Sequence, residues 1–394
     1  MRQTSNASAP GRRRWLWSSI PLLLCLLFST GTVPVWADGG APNLAYVAGT
    51  SADISVIDVT QQKVTRTIAT TGDVYSLLLS IDGRYLYVSQ PQLGRVAILA
   101  ANTGNLICSV PLSGQPAFLA LDPINTVLYV AGNHTDMITV LNATNCKIQH
   151  ILHASTSING IALAFAGTNL PEGNDTRLWA TTPLGLAAFN TRTGQLIASI
   201  RLPEEARAIT IPPGKTAYVT TKQGPIYALD LLSAQTVSIM KSSNYGSMDF
   251  DELTSEIYVP DPQDDTLEIL APVTLGYATP HEPLRSIHFD SPPTSVAITN
   301  DGQLGFVTRK NGQVSMLDLP GKQTITTFAV GGSPHFVITG VYPPLAPLNA
   351  QEITLSGIIV TVGAYGLLAV MLIGPGIYFL LLLRRRWRVQ NRIQ

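Results

Sequence analysis

Four carboxylates crowd one short stretch of this chain: Asp261, Asp264, Asp265 and Glu268. Hard oxygen donors at that density are what a calcium ion takes, so Asp261, Asp264 and Asp265 are the candidate metal ligands. The spacing lacks the alternating aspartate order of a calcium loop that ends in glycine, and a solvated polar turn is the competing reading. His150 and His153 are the other pair at chelating distance in sequence. On a strand they point to opposite faces and cannot share an ion as they would on a helix. The chain has no CxxC, CxxCH or HExxH pattern, which excludes c-type haem attachment and the common zinc signatures. No catalytic residue is assigned, and calcium is the one cofactor considered.

Of the three cysteines, Cys25 lies in an N-terminal apolar run that processing is expected to remove. Cys108 and Cys146 remain. An exported chain can pair them. The competing reading is two separate, partly buried thiols, because they sit on successive sequence repeats whose outer edges would splay apart.

The repeats are what must position everything else. An aromatic followed by a small apolar residue, then a turn, then an apolar run ending in Asp or Asn, recurs along the chain. It stands at Tyr46-Val47, Tyr87-Val88, Tyr129-Val130, Trp179-Ala180, Tyr218-Val219, Tyr258-Val259 and Phe306-Val307. Successive aromatics are 41, 42, 50, 39, 40 and 48 residues apart. A period near 40 residues marks a ring or array of small modules rather than a single packed domain. Within each copy, short runs of Val, Ile, Leu and Tyr are bounded by Asn, Asp, Gly and Pro, the pattern of hairpin-connected strands. Phe118–Leu121, Val127–Val130, Ile138–Leu141 and Ile148–Ile151 give four such strands in one copy. The fold class is therefore all-β, a seven-bladed β-propeller over residues 38–341. The first copy begins at its second strand, and one orphan strand, Pro334–Ile338, follows the last copy. Pairing that orphan beside Tyr46 closes the ring through its N- and C-terminal strands and removes an unpaired edge.

The phrases Tyr218-Val219-Thr220-Thr221 with Ile226–Asp230, Tyr46-Val47 with Ser55–Asp58, and Gly332-Ser333-Pro334 resemble the YVTN family of 40-residue β-propeller repeats. The resemblance spans roughly residues 43–340. It implies the propeller fold, and a likeness to microbial surface-layer and surface-antigen proteins and, more distantly, to lactonase and quinoprotein propellers. The terminal Asp of the motif is replaced by Leu99, Leu270, Asn142 and Asn190, and the WD and GH dipeptides of the other common propeller repeat are absent.

Aligning the copies on their aromatics places Tyr75, Ala117, Arg207, Gly246, Thr294 and His335 at equivalent first-strand positions facing the central channel. Tyr75, Arg207 and His335 are the candidate ligand-binding residues at its mouth, suited to an anionic or sugar-like molecule. Two stretches exceed the repeat length, Gly167 to Arg177 and Pro272 to Pro293. Insertions in repeat folds map to loops, often on the binding face.

The ends carry an address. Arg12-Arg13-Arg14, the apolar Ile20 to Phe28 and Val35-Trp36-Ala37 compose a signal peptide over residues 1–37. After a Pro-rich spacer, 342–352, the segment 353–383 contains 31 residues without a charge, long enough to span a bilayer. Arg384-Arg385-Arg386-Trp387-Arg388 opens a basic tail, 384–394, that stays cytoplasmic. Between residues 38 and 350 there are 16 Lys and Arg against 24 Asp and Glu. An acidic ring without a basic stripe excludes nucleic acid as a partner. The expectation is a cell-membrane, single-pass protein with an extracellular propeller. It binds or scaffolds a protein, glycan or small ligand without catalysis. An exported lactonase-like or redox enzyme with its site at the channel mouth is the alternative.

Overall fold

The computed structural model describes residues 44–277, 279, 281–341 and 384. The signal peptide, spacer and apolar run read from the sequence lie outside those residues, and of the basic tail only Arg384 is described. Among the described residues no helix is long and apolar enough to cross a membrane.

The described chain folds into seven four-stranded antiparallel sheets. In blade 1 the strands run, from the channel outward, Phe336–Gly340, Leu44–Thr50, Asp53–Asp58 and Lys63–Ile68. Blade 2 follows with Ser76–Leu79, Tyr85–Gln90, Arg95–Ala100 and Leu106–Pro111. Blade 3 is Pro116–Asp122, Val127–Gly132, Met137–Asn142 and Ile148–His153. Blades 4 to 7 occupy 160–201, 206–238, 249–288 and 293–329.

The Tyr-Val phrase explains why these sheets form a ring. It is always the second strand, covered on both faces by neighbouring blades, and successive residues point to opposite faces. Tyr46 packs on Leu77, Leu86 and Val88 of blade 2, whereas Val47 packs on Phe306 and Val314 of blade 7. The same division repeats: Tyr87 faces Leu128 of blade 3, and Tyr129 faces Ile161 and Leu163 of blade 4. Trp179 faces Ala206 of blade 5, Tyr218 faces Met248 of blade 6, and Tyr258 faces Val296 of blade 7. Phe306 returns to Val47 of blade 1. All seven aromatics are buried. Outer strands have one wet face, and Lys63–Ile68 and Leu196–Arg201 alternate accordingly.

The orphan strand closes the ring as the sequence implies. Tyr46 pairs with Ile338 and Leu44 with Gly340, so the first blade is built from both ends of the domain.

Cys108 and Cys146 form a disulfide, with Cα atoms 6.1 Å apart. The expectation that their repeats splay apart fails for a local reason. Cys108 lies on the outer strand of blade 2. Cys146 lies in the turn before the outer strand of blade 3, where a left-handed backbone, φ 59°, turns it inward. Both cysteines join the apolar cluster between the two blades, around Tyr87, Leu128 and Leu141. The bridge closes a sequence separation of 38. Restricting the unfolded chain over such a loop stabilises by about 2–4 kcal/mol. Cys108→Ser/Cys146→Ser is therefore expected to lower the unfolding free energy from urea titration by that amount, and adding a reductant to the variant should change nothing further.

The two long insertions are loops, as the sequence implies. The first, at 165–176, joins the first and second strands of blade 4, and the second, at 271–284, joins the third and fourth strands of blade 6. Both connections lie at the end of the ring away from the channel-mouth residues described next, so neither shapes the mouth.

Candidate functional site: the channel mouth

Each blade's first strand starts at one end of the channel, and the loops arriving there converge. Tyr75 immediately precedes Ser76–Leu79, and its backbone N–H donates to the Ser89 carbonyl at 3.0 Å. Its ring meets Phe118 of blade 3 edge-on, with centroids 5.8 Å apart at 85°. His335, just before the closing strand, lies 6.1 Å from the same ring, tilted by 51°. The His335 imidazole reaches the carbonyl oxygens of Tyr75 through Nε2 and Ser333 through Nδ1, each at 3.1 Å. A neutral ring donates to one of these, a charged ring to both. Gly49 makes room for it: φ is +79°, and a Cβ there would collide with His335 Nδ1 and the Ser333 carbonyl.

Across the mouth, Arg207 lies on the first strand of blade 5. Its Nη1 donates to Asn244 Oδ1 at 2.7 Å, which fixes the guanidinium while leaving it exposed. Lys222 and Glu205 pair at 3.3 Å, and Asn159 Nδ2 donates to the other Glu205 oxygen at 3.3 Å. Burial pushes the Tyr75 phenol above its ordinary range, while the Arg207 charge pulls it the other way. The Arg207 field thus reaches the aromatic side of the mouth. Tyr75, Phe118, Asn159, Glu205, Arg207 and Lys222 line a cavity of about 550 Å³ together with Asn133, His134, Tyr245 and Thr294. That is the size of a small-ligand site.

Tyr75, Arg207 and His335 are thus gathered at one end of the channel, Tyr75 and Arg207 in the cavity wall and His335 behind Tyr75. Ala117 is not at the mouth; it is fully buried, and Phe118 takes its place. The ladder slips between Pro116 and Phe118, as it does around Arg207 in blade 5 and Thr294 in blade 7, so the slip is shared and Ala117 differs in carrying only a methyl group. Glu205, Lys222, Asn159 and Asn244 escape the repeat alignment because they sit in connections, whose course a strand period does not fix.

The candidate calcium ligands are taken up separately. Asp261 Oδ1 accepts from Ser243 Oγ at 2.7 Å and from the Gln263 N–H at 3.1 Å. Asp264 holds Lys241 Nζ at 2.6 Å, and that hydrogen bond lifts the Lys241 ammonium above its ordinary range. Among the described residues no three His, Cys, Asp or Glu side chains converge as a metal site. His153 pairs with Asp136 at 3.1 Å instead.

Deeper in the channel a second cavity of about 290 Å³ is lined by Asp249, Ser295 and Thr339. Asp249 Oδ2 accepts the Ile298 N–H at 2.7 Å. Burial pushes its carboxyl up to about 7 against the opposing pull of the Ile298 and Phe250 amides, and Glu252 adds to the rise. The folded state therefore holds a proton that the unfolded chain releases near its ordinary value of 3.8. That contribution to stability is complete below about pH 4 and is lost as pH rises through 7. Asp249→Asn keeps the acceptor and should be more stable than the parent at pH 8 by about 1–3 kcal/mol. The two should converge at pH 4, read by urea titration at both values.

No family model and no curated protein matches this chain. Solved structures do. Hydrazine synthase from Kuenenia stuttgartiensis matches with a TM-score of 0.57 at 16% identity, over 68% of this chain and 90% of that one. The dihydro-heme d1 dehydrogenase NirN in complex with DHE matches at 0.55 and 14%, over 75% of each chain. The β-propeller domain of Myceliophteria thermophila Cps50 (Swd1) matches at 0.58 and 13%, over 71% and 92%. Such likeness establishes the seven-bladed β-propeller and nothing of activity.

Proposed function

We propose that this protein is a membrane-anchored, extracellular β-propeller that binds a small anionic saccharide at its channel mouth, without catalysing its conversion. The observation that carries the reading is the split character of that mouth. Tyr75 and Phe118 offer an aromatic surface for the flat apolar face of a sugar ring. Arg207, steadied by Asn244, offers an exposed fork for a carboxylate. Asn133 and Asn159 add groups suited to hydroxyls. The ring as a whole is acidic, yet Arg207 and Lys222 outnumber Glu205 in the lining, so the mouth is locally inviting to an anion.

Glu205 is the one carboxylate among the described residues lining the cavity, and Lys222 and Asn159 already engage it. A paired-carboxylate mechanism has no second member there, which favours binding over the enzyme alternative. The anchoring part of the reading rests on the 31 uncharged residues of 353–383 and the arginines that follow.

Glucuronate and glucose are suitable probes, compared by saturation-transfer NMR. Glucuronate should bind the parent more tightly than glucose. Arg207→Ala should abolish that preference, and Tyr75→Ala should weaken both sugars. Equal and feeble signals for both sugars in parent and variants would retire the proposal.

A further inference from the structure

The end of the ring opposite the channel mouth is unlike the rest of the surface. The four most exposed large apolar side chains among the described residues are Ile124 at 80%, Tyr277 at 78%, Ile81 at 75% and Leu253 at 71%. All four lie on connections at that end. Ile81, Ile124 and Leu253 tip the turns between first and second strands of blades 2, 3 and 6, and Tyr277 lies on the blade 6 insertion. Nothing in the fold requires them there, because equivalent turns in blades 5 and 7 carry Pro213 and Asp301.

Three further features mark this face. Both ends of the domain leave from it: Leu44 and Gly340 are paired neighbours, and Gly340 abuts Leu79, two residues from Ile81. The chain that leaves at Val341 leads through an 11-residue spacer, 342–352, to the uncharged run. Even fully extended, that spacer holds the face within about 40 Å of the start of the run. Three ion pairs also lie on the face, Arg84–Asp82, Arg192–Asp175 and Lys322–Glu256. Between Ile81 and Ile124 lies a hollow of about 490 Å³, walled by Tyr85, Leu121 and Pro123.

We infer that this turn face rests on the lipid bilayer, with Ile81, Ile124, Leu253 and Tyr277 entering the headgroup and upper acyl region. The inference rests on the reading that 353–383 spans that bilayer. Exposed aliphatic tips with a tyrosine beside them suit the interfacial zone, where an aromatic ring carries one apolar and one wet end. The disc then lies with its channel mouth turned outward, and the apolar tips prevent it from swinging freely on its tether.

The test uses the full chain in phosphatidylcholine vesicles containing lipids spin-labelled near the headgroup. An environment-sensitive dye is attached at Ile124→Cys, at Leu253→Cys, or at Leu184→Cys, each in a Cys25→Ser background. Leu184 is an exposed apolar residue at the channel-mouth end, so it controls for hydrophobicity alone. Dye at 124 and 253 should lose most of its emission to the spin labels, and dye at 184 should keep it. Vesicles that carry the protein through alkaline carbonate while all three dyes stay bright would overturn the contact and leave the anchor standing. Protein that fails to float with vesicles would overturn both. Shielding at 124 that rises with protein concentration in detergent, without quenching by lipid, would assign the face to a second copy and likewise overturn the inference.

Discussion

Val337→Asp is expected to cost more than about 4 kcal/mol and to leave the ring open at blade 1. Val337 is buried in the closing strand, directly opposite Val47 in the ladder, and packs among Phe306, Val314 and Phe328 of blade 7. An aspartate there has no cation or donor within the cluster, so the folded state must either bury an uncompensated charge or hold a proton at neutral pH. The alternative is release of Phe336–Gly340, which frees the edge of Leu44–Thr50 and exposes one side of the blade 1 and blade 7 clusters. Val337→Ala separates packing from charge. It removes two buried methyl groups and should cost only about 2 kcal/mol. Urea unfolding followed by circular dichroism gives both numbers, and limited proteolysis should cut Val337→Asp first near Val341. A variant as stable as the parent would mean that the two ends of the domain do not hold the ring shut.

The closing strand was legible in the sequence because it was left over. Seven Tyr-Val phrases require seven first strands, and the only candidate for blade 1 stood at the far end of the repeats. The phrases themselves were legible for the packing reason now visible: each aromatic must fill the gap to the next blade and each following residue the gap to the previous one, so neither type can drift. The mouth was legible only in part. Tyr75 and Arg207 fell in register with the repeat. Phe118 lies one residue beyond the aligned position, and Glu205, Lys222 and Asn244 were hidden in loops that carry no period. The disulfide was undecidable for a similar reason. Its geometry depends on Cys146 adopting a left-handed backbone in a turn, and nothing in the residue type demands that. The insertions were legible as loops from their length, whereas only the strand order says which end of the ring each leaves from.

Trp179 is, with Phe306, one of two places where the repeat departs from tyrosine at full burial, and it yields a graded prediction. The indole stands where blades 1, 2, 3, 5 and 6 carry Tyr46, Tyr87, Tyr129, Tyr218 and Tyr258. Its pocket is made larger by small neighbours, Ala188, Ala206 and Ala217. Trp179→Ala should therefore leave a cavity those alanines cannot fill, at a cost of about 3–5 kcal/mol. The Nε1–H, however, is buried without an acceptor among the described residues. A buried donor left unsatisfied costs about 1–3 kcal/mol, so deleting it returns something. Trp179→Phe loses packing volume but also removes that donor, and the two effects oppose. Its net cost should be small, about 1 kcal/mol. Thermal unfolding of the three proteins should thus rank parent and Trp179→Phe close together and Trp179→Ala far below. A Trp179→Phe variant as damaged as Trp179→Ala would mean that the indole nitrogen makes an interaction essential to the junction between blades 4 and 5.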